Sequence, residues 1–419
     1  MTTLAYLANQ FPSPVESYVM DEIHELRRRG VNVIPCSARR CCASSSREFR
    51  SVVAGTLYFR PWRARLLLRS AWLLLTKAGL LGDVLHRVCW QGPETPMRRL
   101  RALAHTYLGA YYALLLEKRG VRHIHVHHGY FSSWIAMVAA RLLGTGFSMT
   151  LHGSDLLMHG AYLDIKLSQC QFCTTVSEFN RRFLLEHYPE IATDKVVVRR
   201  IGVDAPPRHR TELRRQNNDP FVLLAVGRLH AVKDHSFLVR ACERLKQRGI
   251  RFLCWIAGDG AERSDLEHLI ADLDLSAEVK LLGHLSRGDL ERRYAAADLV
   301  VLTSRSEGIP LVLMEAMARG KLVLAPAITG IPELVVNKET GYLYTPGSQE
   351  SFVARVEAII KPQAELYSVR QAASRHVLQH FSREKNRAAF CDLLLGRIAQ
   401  PLTDQSHANP LLQQIQLPV

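Results

Sequence analysis

The chain has 419 residues, more than one hydrophobic core usually organises, so two domains of roughly 200 residues each are expected. Apolar content of 47% and charge of 22% exclude disorder outside short segments. The formal net charge of +15 calls for an anionic partner, whether nucleic acid, phosphorylated metabolite or acidic membrane, without choosing among them.

Short apolar runs alternate with helical patterns along almost the whole chain, the rhythm of βα units around a parallel sheet. In the first half, strands are predicted at 4–8, 31–35, 123–127, 147–151, 173–176 and 196–201, with a helix over 17–29 closed by Gly30. No segment reads as a membrane-spanning helix. The nearest, 66–90, is interrupted by Arg69, Lys77 and Asp83 before about 18 apolar residues accumulate. Drawn as one helix, it places Arg65, Arg69, Thr76, Asp83 and Arg87 on one stripe, opposite Leu67, Ala71, Leu74, Ala78, Leu81 and Leu85. With Arg60, Arg63, Arg98, Arg99 and Arg101 flanking it, the stretch fits either an interfacial helix on an anionic membrane or a cover for the amino-terminal sheet.

Prolines, charges and amides over 204–220 read as an interdomain linker. A second strand series follows at 221–226, 252–257, 279–282, 299–302 and 322–325. The expected organisation is therefore α/β: a doubly wound, Rossmann-like domain over 1–203, a second over 221–384, a helix over 385–399 packing back toward the first, and a flexible tail over 400–419. Two such domains face each other across a cleft bordered by strand carboxyl ends and helix amino ends, where the chemistry is expected. Nine cysteines, an odd number with no cleavable leader read, suggest reduced thiols and a cytoplasmic location.

The stretch "SRSEGIPLVLMEAMARGKLVLA" over 304–325 holds Glu307 before a helix and Glu315 within it. Pro310 suits the first helical position and Gly320 the cap, so the free N–H groups of Leu311 and Val312 and the positive dipole end offer a seat for a diphosphate. Glu315 then stands about 7 Å from the seat region along the axis. Carboxylates accept hydrogen bonds from hydroxyls, so the pair suits the sugar and ribose of a sugar nucleotide; the plain alternative is a solvated Glu315 and a loop Glu307. In "AVGRLHAVKD", Arg228 and Lys233 follow a strand end and are placed to neutralise a leaving diphosphate, or else form a surface pair.

Taken together, "GRLHAVKD", "EGIPLVLMEAMARGKLVLA" and "TGIPELV" resemble the donor half of retaining GT-B glycosyltransferases of family 4, whose signature is E-x7-E. "FPSPVESYVMDEIHEL", "SMTLHGSDL", "TVSEFNRRFL" and "RRIGVD" resemble the acceptor half of bacterial exopolysaccharide transferases similar to the colanic acid enzymes; the likeness covers about 4–398. This resemblance implies that Glu307 holds donor-sugar hydroxyls with the backbone of Gly308 and Ile309, Glu315 the ribose, Arg228 and Lys233 the diphosphate with Leu311 and Val312, and that His152 reaches the sugar near its anomeric centre. It implies a UDP- or GDP-linked donor, a lipid-linked acceptor met at the cytoplasmic membrane face, and no metal or other cofactor. Two departures stand out: "PSPVES" replaces the glycine pair many members place beside the acceptor, and Asp234 stands where glycine often follows the lysine.

Cys170 and Cys173 form a C-x-x-C without the second ligand pair zinc needs. His123, His125, His127 and His128 alternate in a predicted strand, as a metal cluster or as buried and cleft-edge histidines. The rival readings are another GT-B activity, such as an epimerase or phosphorylase, and a nucleic-acid binder. No nucleic-acid module is recognisable, and none is expected as a partner.

Overall fold

The computed structural model describes residues 2–13, 16–39, 52–157, 160–206, 219–361 and 365–400. Two parallel sheets organise them. The first runs through β1 (Thr3–Gln10), β2 (Asn32–Arg39), β3 (Leu57–Tyr58), β4 (Val121–His127), β5 (Gly146–Leu151), β6 (Phe172–Thr175) and β7 (Val196–Val198), in the order β3-β2-β1-β4-β5-β6-β7. The second contains β8 (Phe221–Val226), β9 (Phe252–Ala257), β10 (Val279–Gly283), β11 (Leu299–Val301), β12 (Leu322–Pro326) and β13 (Tyr342–Tyr344), in the order β10-β9-β8-β11-β12-β13. The edge strands β3 and β13 are absent from the sequence reading, because two or three residues are too few to display a period. Strand order reverses between β1 and β4 and again between β8 and β11, and the carboxyl ends at such switch points are where an open sheet leaves a crevice.

Helix α1 (Ser17–Arg28) buries Val19, Ile23 and Leu26 on the first sheet, and Gly30 ends it at φ +80°. The stretch read as one helix is broken: α2 (Ala64–Thr76) gives way to a 3-10 turn (Ala78–Leu81) and then α3 (Gly82–Trp90). Its residues sort differently from a single wheel. Leu67, Leu74 and Leu85 pack on the core and Leu81 is fully buried, so this face turns inward. The polar stripe is also engaged by the protein: Arg69 pairs with Glu117, Asp83 with Arg141, and Arg87 with Glu94 and Asp164. Solvent instead meets Leu68, Trp72 and Leu75, spaced i, i+4, i+7 on α2, with exposures of 75%, 68% and 75%.

Helix α4 (Pro96–Leu116) packs along α5 (Phe131–Leu143), where a Cβ on Gly109 would lie 2.6 Å from the Val138 Cβ. The remaining helices that shape the cleft are α6 (Glu178–His187), α7 (Leu311–Ala318), α8 (Glu365–His380) and α9 (Arg383–Ala399). Two strands of chain cross between the halves side by side, with the Val203 N–H donating to Phe381 O at 2.9 Å and the Arg383 N–H to Val203 O at 3.1 Å. After the crossing, α9 lies on the first sheet. Its Phe390, Cys391 and Leu394 share a core with Leu4, Tyr6, Ile23 and Leu26, and each large side chain buried there contributes roughly 1.5–3 kcal/mol. The crossing therefore fixes which carboxyl ends face each other. The linker residues 207–218 and the tail from 401 lie outside the described residues.

Candidate active site at the cleft

On one wall, the loop after β8 carries Arg228, and a 3-10 turn (Ala231–Lys233) delivers Lys233. This loop lies so close to the loop after β9 that a Cβ on Gly258 would stand 1.8 Å from Gly227 O. Lys233 Nζ donates to Glu307 Oε1 at 2.5 Å, and Ser304 Oγ donates to the same oxygen at 2.6 Å. Thr329 fixes the Glu307 backbone from both sides: its hydroxyl donates to Glu307 O at 2.6 Å and accepts from Glu307 N–H at 3.3 Å. Arg228 is exposed, and its positive field reaches Glu16 and Tyr130 across the cleft. Asp234 follows Lys233 at φ +49°, a left-handed conformation that glycine adopts freely and aspartate tolerates. Arg305 Nε holds its carboxylate at 2.7 Å.

Helix α7 starts at Leu311. Pro310, with ψ at 120°, is the extended residue before the helix and not its first turn, a correction of one position that follows from its hydrogen-bonded role as acceptor for Leu313 and Met314. No side chain caps this end, leaving the N–H groups of Leu311 and Val312 and the dipole directed at the loop of Glu307. On the next turn Glu315 is half-buried and accepts from Tyr294 OH at 3.0 Å. Burial, with Glu315 adding to it, pushes the Tyr294 hydroxyl well up, so it remains a donor. Glu315 is thus a held carboxylate and not a solvated one.

Gly308 and Ile309 are buried where the halves meet. A Cβ on Gly308 would lie 1.9 Å from His152 O, and one on Gly330 would lie 1.9 Å from Gly308 O. Close by, Glu333 of the second half accepts from the backbone N–H of Phe179 at 2.7 Å and Glu178 at 2.9 Å, placing a carboxylate on the positive end of α6. These contacts clamp the cleft.

On the opposite wall, His152 follows β5, its N–H bonded to Asp155 at 3.0 Å and its ring lying 4.9 Å from that of Tyr18. Behind it runs a buried chain: His152 Nε2 to His127 Nδ1 at 3.0 Å, His127 Nε2 to Glu22 Oε2 at 3.0 Å, and Tyr6 OH to the same carboxylate. A carboxylate accepts, so His127 donates from Nε2; in the tautomer in which its Nδ1 accepts from His152 Nε2–H, the Nδ1 lone pair of His152 is left free. Burial, reinforced by the neighbouring His128 and His127, holds His152 well below the usual histidine range, so it works as a neutral ring. His128 behaves oppositely. Burial would lower it, but hydrogen bonds to Asp155 and Glu16 outweigh this and lift it to about 9, tying the amino-terminal loop to the cleft wall.

The sequence reading missed Glu22, Tyr18, Glu16, Tyr294 and Glu333. Glu22 alone left a trace, a carboxylate among Val19, Ile23 and Leu26 on the apolar face of α1. Of the histidine run, His123 and His125 are buried and bonded to Ser148, and only His127 contributes to the chain behind His152. Among the described residues, no group of three His, Cys, Asp or Glu is arranged to hold a metal ion, and Cys170 and Cys173 are buried free thiols.

Comparison with known proteins places this geometry. Residues 15–205 match the glycosyltransferase family 4 model and residues 209–376 the glycosyl transferases group 1 model. The amylovoran biosynthesis glycosyltransferase AmsK of Erwinia amylovora is 33% identical over 195 residues, covering 45% of this chain and 48% of that protein. The putative colanic acid biosynthesis glycosyltransferase WcaL of Salmonella typhimurium is 30% identical over 209 residues, covering 48% and 51%. The aligned regions thus span about half the length of these relatives. Among solved structures, a glycosyltransferase from Rickettsia africae superposes with a TM-score of 0.68 at 20% identity over 95% of this chain and 99% of that one. Anabaena HepE in complex with UDP-glucose does so with 0.68 at 17% identity over 94% and 100%. Two consecutive family matches over two facing doubly wound halves make this chain a member of the family 4 glycosyltransferases, with the GT-B fold.

Proposed function

We propose that this protein is a retaining hexosyltransferase that moves a sugar from a UDP- or GDP-linked donor to a lipid-linked glycan in surface or exopolysaccharide assembly, at the cytoplasmic membrane face. The observation that carries this reading is the Lys233–Glu307 pair beside the uncapped α7, with Gly308 against His152 across the cleft. That cradle has a cation and open N–H groups for a diphosphate, a carboxylate for sugar hydroxyls, and Glu315 one helical turn on for the ribose. In this reading Arg228 and Lys233 meet the charge growing on the departing diphosphate, which is electrostatic catalysis with no covalent protein intermediate. No metal or other cofactor is assigned a role. The pathway rests on the exopolysaccharide relatives, and the nucleotide donor on structural neighbours solved with UDP or UDP-glucose.

The membrane part rests on the surface of α2, α3 and α4. Leu68, Trp72, Leu75, Trp90 and Leu100 stand exposed there, with Arg60, Arg63, Arg65 and Arg101 exposed on the same segments. Apolar side chains enter the interface while each nearby arginine adds about 1 kcal/mol on anionic lipid. Among the described residues, no helix is long and apolar enough to cross a membrane. In this reading the inner faces of 61–90 cover the core and the outer faces meet lipid.

The test is to incubate the protein with UDP- and GDP-hexoses and lipid extract from a strain lacking it, following lipid-linked glycans by mass spectrometry. A lipid-linked product one hexose heavier supports the reading. Epimerised free donor, or sugar phosphate alone, contradicts it. Sedimentation with anionic vesicles at low salt, lost in Trp72→Ser with Leu75→Ser, tests the membrane surface separately; no pelleting of the wild type refutes that part.

A further inference from the structure

Beside the crossing point, the chain after β7 passes Arg199 and Arg200 along a cavity of about 240 Å³ that also touches His380 and Asn386. A smaller cavity shares Arg199, Arg200 and Asn386, has Arg383 and Arg387 on its far wall, and reaches Tyr18 and His152. Among the described residues, the buried Nε atoms of Arg199, Arg200 and Arg387 find no hydrogen-bond acceptor. Leaving a cationic N–H buried and unmatched is costly, and three around adjoining cavities call for a shared anionic acceptor.

The carboxylates nearby are mostly committed. Glu22 takes His127 and Tyr6, Asp204 lies 3.3 Å from Arg383, and Glu178 lies 3.9 Å from Arg181; Asp21, on the wall of the smaller cavity, lies 3.4 Å from Arg383, and its Oδ2 accepts no hydrogen bond among the described residues. Arg200 reaches Glu333 only at 3.6 Å and Arg387 reaches Glu25 at 4.0 Å. The Arg199 guanidinium donates to Val198 O at 2.9 Å, and no carboxylate lies within ion-pair distance of it among the described residues. Arg199 lines both cavities, and a guanidinium can take two oxygens of one phosphate once its neighbours shift to admit them.

We infer that Arg199 and Arg200, with Arg387, form a second anion site that holds a phosphate group on the His152 side of the cleft, apart from the donor cradle. A phosphate there stands beside the ring that faces the reacting centre, so its natural carrier is the acceptor: the phosphate of a lipid carrier or of a phosphorylated glycan. Free orthophosphate has the same chemistry and would occupy the site without a carrier. The acceptor role rests on the glycosyl-transfer reading, whereas phosphate binding itself does not.

The test saturates the full-length protein with UDP, to fill the donor cradle, and titrates inorganic phosphate by calorimetry. One further phosphate should bind. Arg199→Gln with Arg200→Gln should weaken it at least tenfold with UDP affinity unchanged within twofold, and Arg199→Lys, which keeps the charge but loses the fork, should fall between. Absence of phosphate binding to the UDP-saturated protein, or equal binding by the wild type and the double glutamine variant, overturns the site. If UDP fails to bind, the donor reading falls, and the difference between wild type and variant still locates the phosphate. A second arm adds farnesyl phosphate in detergent: displacement of inorganic phosphate with tighter binding supports an acceptor-borne phosphate, and failure to displace it overturns the acceptor role and leaves a free-anion site.

Discussion

Replacing Gly308 with alanine should part the two halves where they touch. The added Cβ would sit 1.9 Å from His152 O and 2.8 Å from Val176 Cγ2, and real Cβ atoms essentially never approach below 3.0 Å. Relief demands a displacement of about 1.1 Å, and the clashing oxygen is backbone whose peptide unit is anchored by the Gly153 N–H donating to Asp155 at 2.8 Å, so it cannot swing aside. On the other side of the same loop, Gly330 stands against Gly308 O and blocks retreat. Overpacking of this kind costs roughly 1–3 kcal/mol. Charged against the closed state alone, that lowers its population about 5- to 150-fold. Donor affinity should change little, since Lys233, Arg228 and α7 all belong to one half, whereas turnover should fall by that factor. Steady-state transfer kinetics beside calorimetry of UDP resolve the two. Unchanged turnover refutes the reasoning, as does a loss of UDP affinity as large as the loss of turnover.

Arg228→Ala and Lys233→Ala are each expected to lower kcat by a factor on the order of 10², the usual loss when a charge matched to a developing anion is removed; turnover within threefold of wild type would dismiss the phosphate assignment. Glu315→Ala should weaken UDP binding more than it lowers kcat, because a ribose contact persists from ground to transition state, and Glu307→Ala should do the reverse; identical kinetic profiles would contradict that division. The pH prediction concerns His128, lifted to about 9 from an ordinary 6.5 because the bonds to Asp155 and Glu16 outweigh burial. A raised histidine stabilises fully below pH 6.5 and loses that contribution as pH climbs through 9, worth at most about 3 kcal/mol. His128→Asn, which tolerates the φ of +73°, should remove this dependence from urea melts between pH 6.5 and 9. Lys166, held near 7 by burial, gives the opposite slope, so the difference between wild type and variant is the quantity to read.

How much of this was legible in the sequence follows from how local each feature is. The two glutamates, the proline and the capping glycine lie within one loop and helix, so spacing placed them to within one residue. Arg228 and Lys233 likewise share a single turn. The chain behind His152 was not legible, because Glu22 and His127 are 105 residues apart and β1 and β4 must pair before they meet. The same holds for Glu333 on the end of α6, a contact across 154 residues between halves. The stretch over 64–90 was only partly legible for a different reason: a 3-10 turn breaks its phase, and the partners of its charged stripe come from residues up to 77 positions away. A wheel drawn on one helix put Leu67, Leu74, Leu81 and Leu85 together on the face that covers the core, but could show neither the exposed Leu68, Trp72 and Leu75 nor the partners of the charged stripe.

The most direct measurement of the central claim is the anomeric configuration of the product formed by the purified protein from a hexose nucleotide and the lipid-linked acceptor, followed by NMR from the first turnover. The account predicts that the first glycoside released keeps the configuration the sugar had in the donor, and that Lys233→Ala slows its appearance without altering it. A product of inverted configuration, or consumption of donor with no new glycosidic bond, would contradict it.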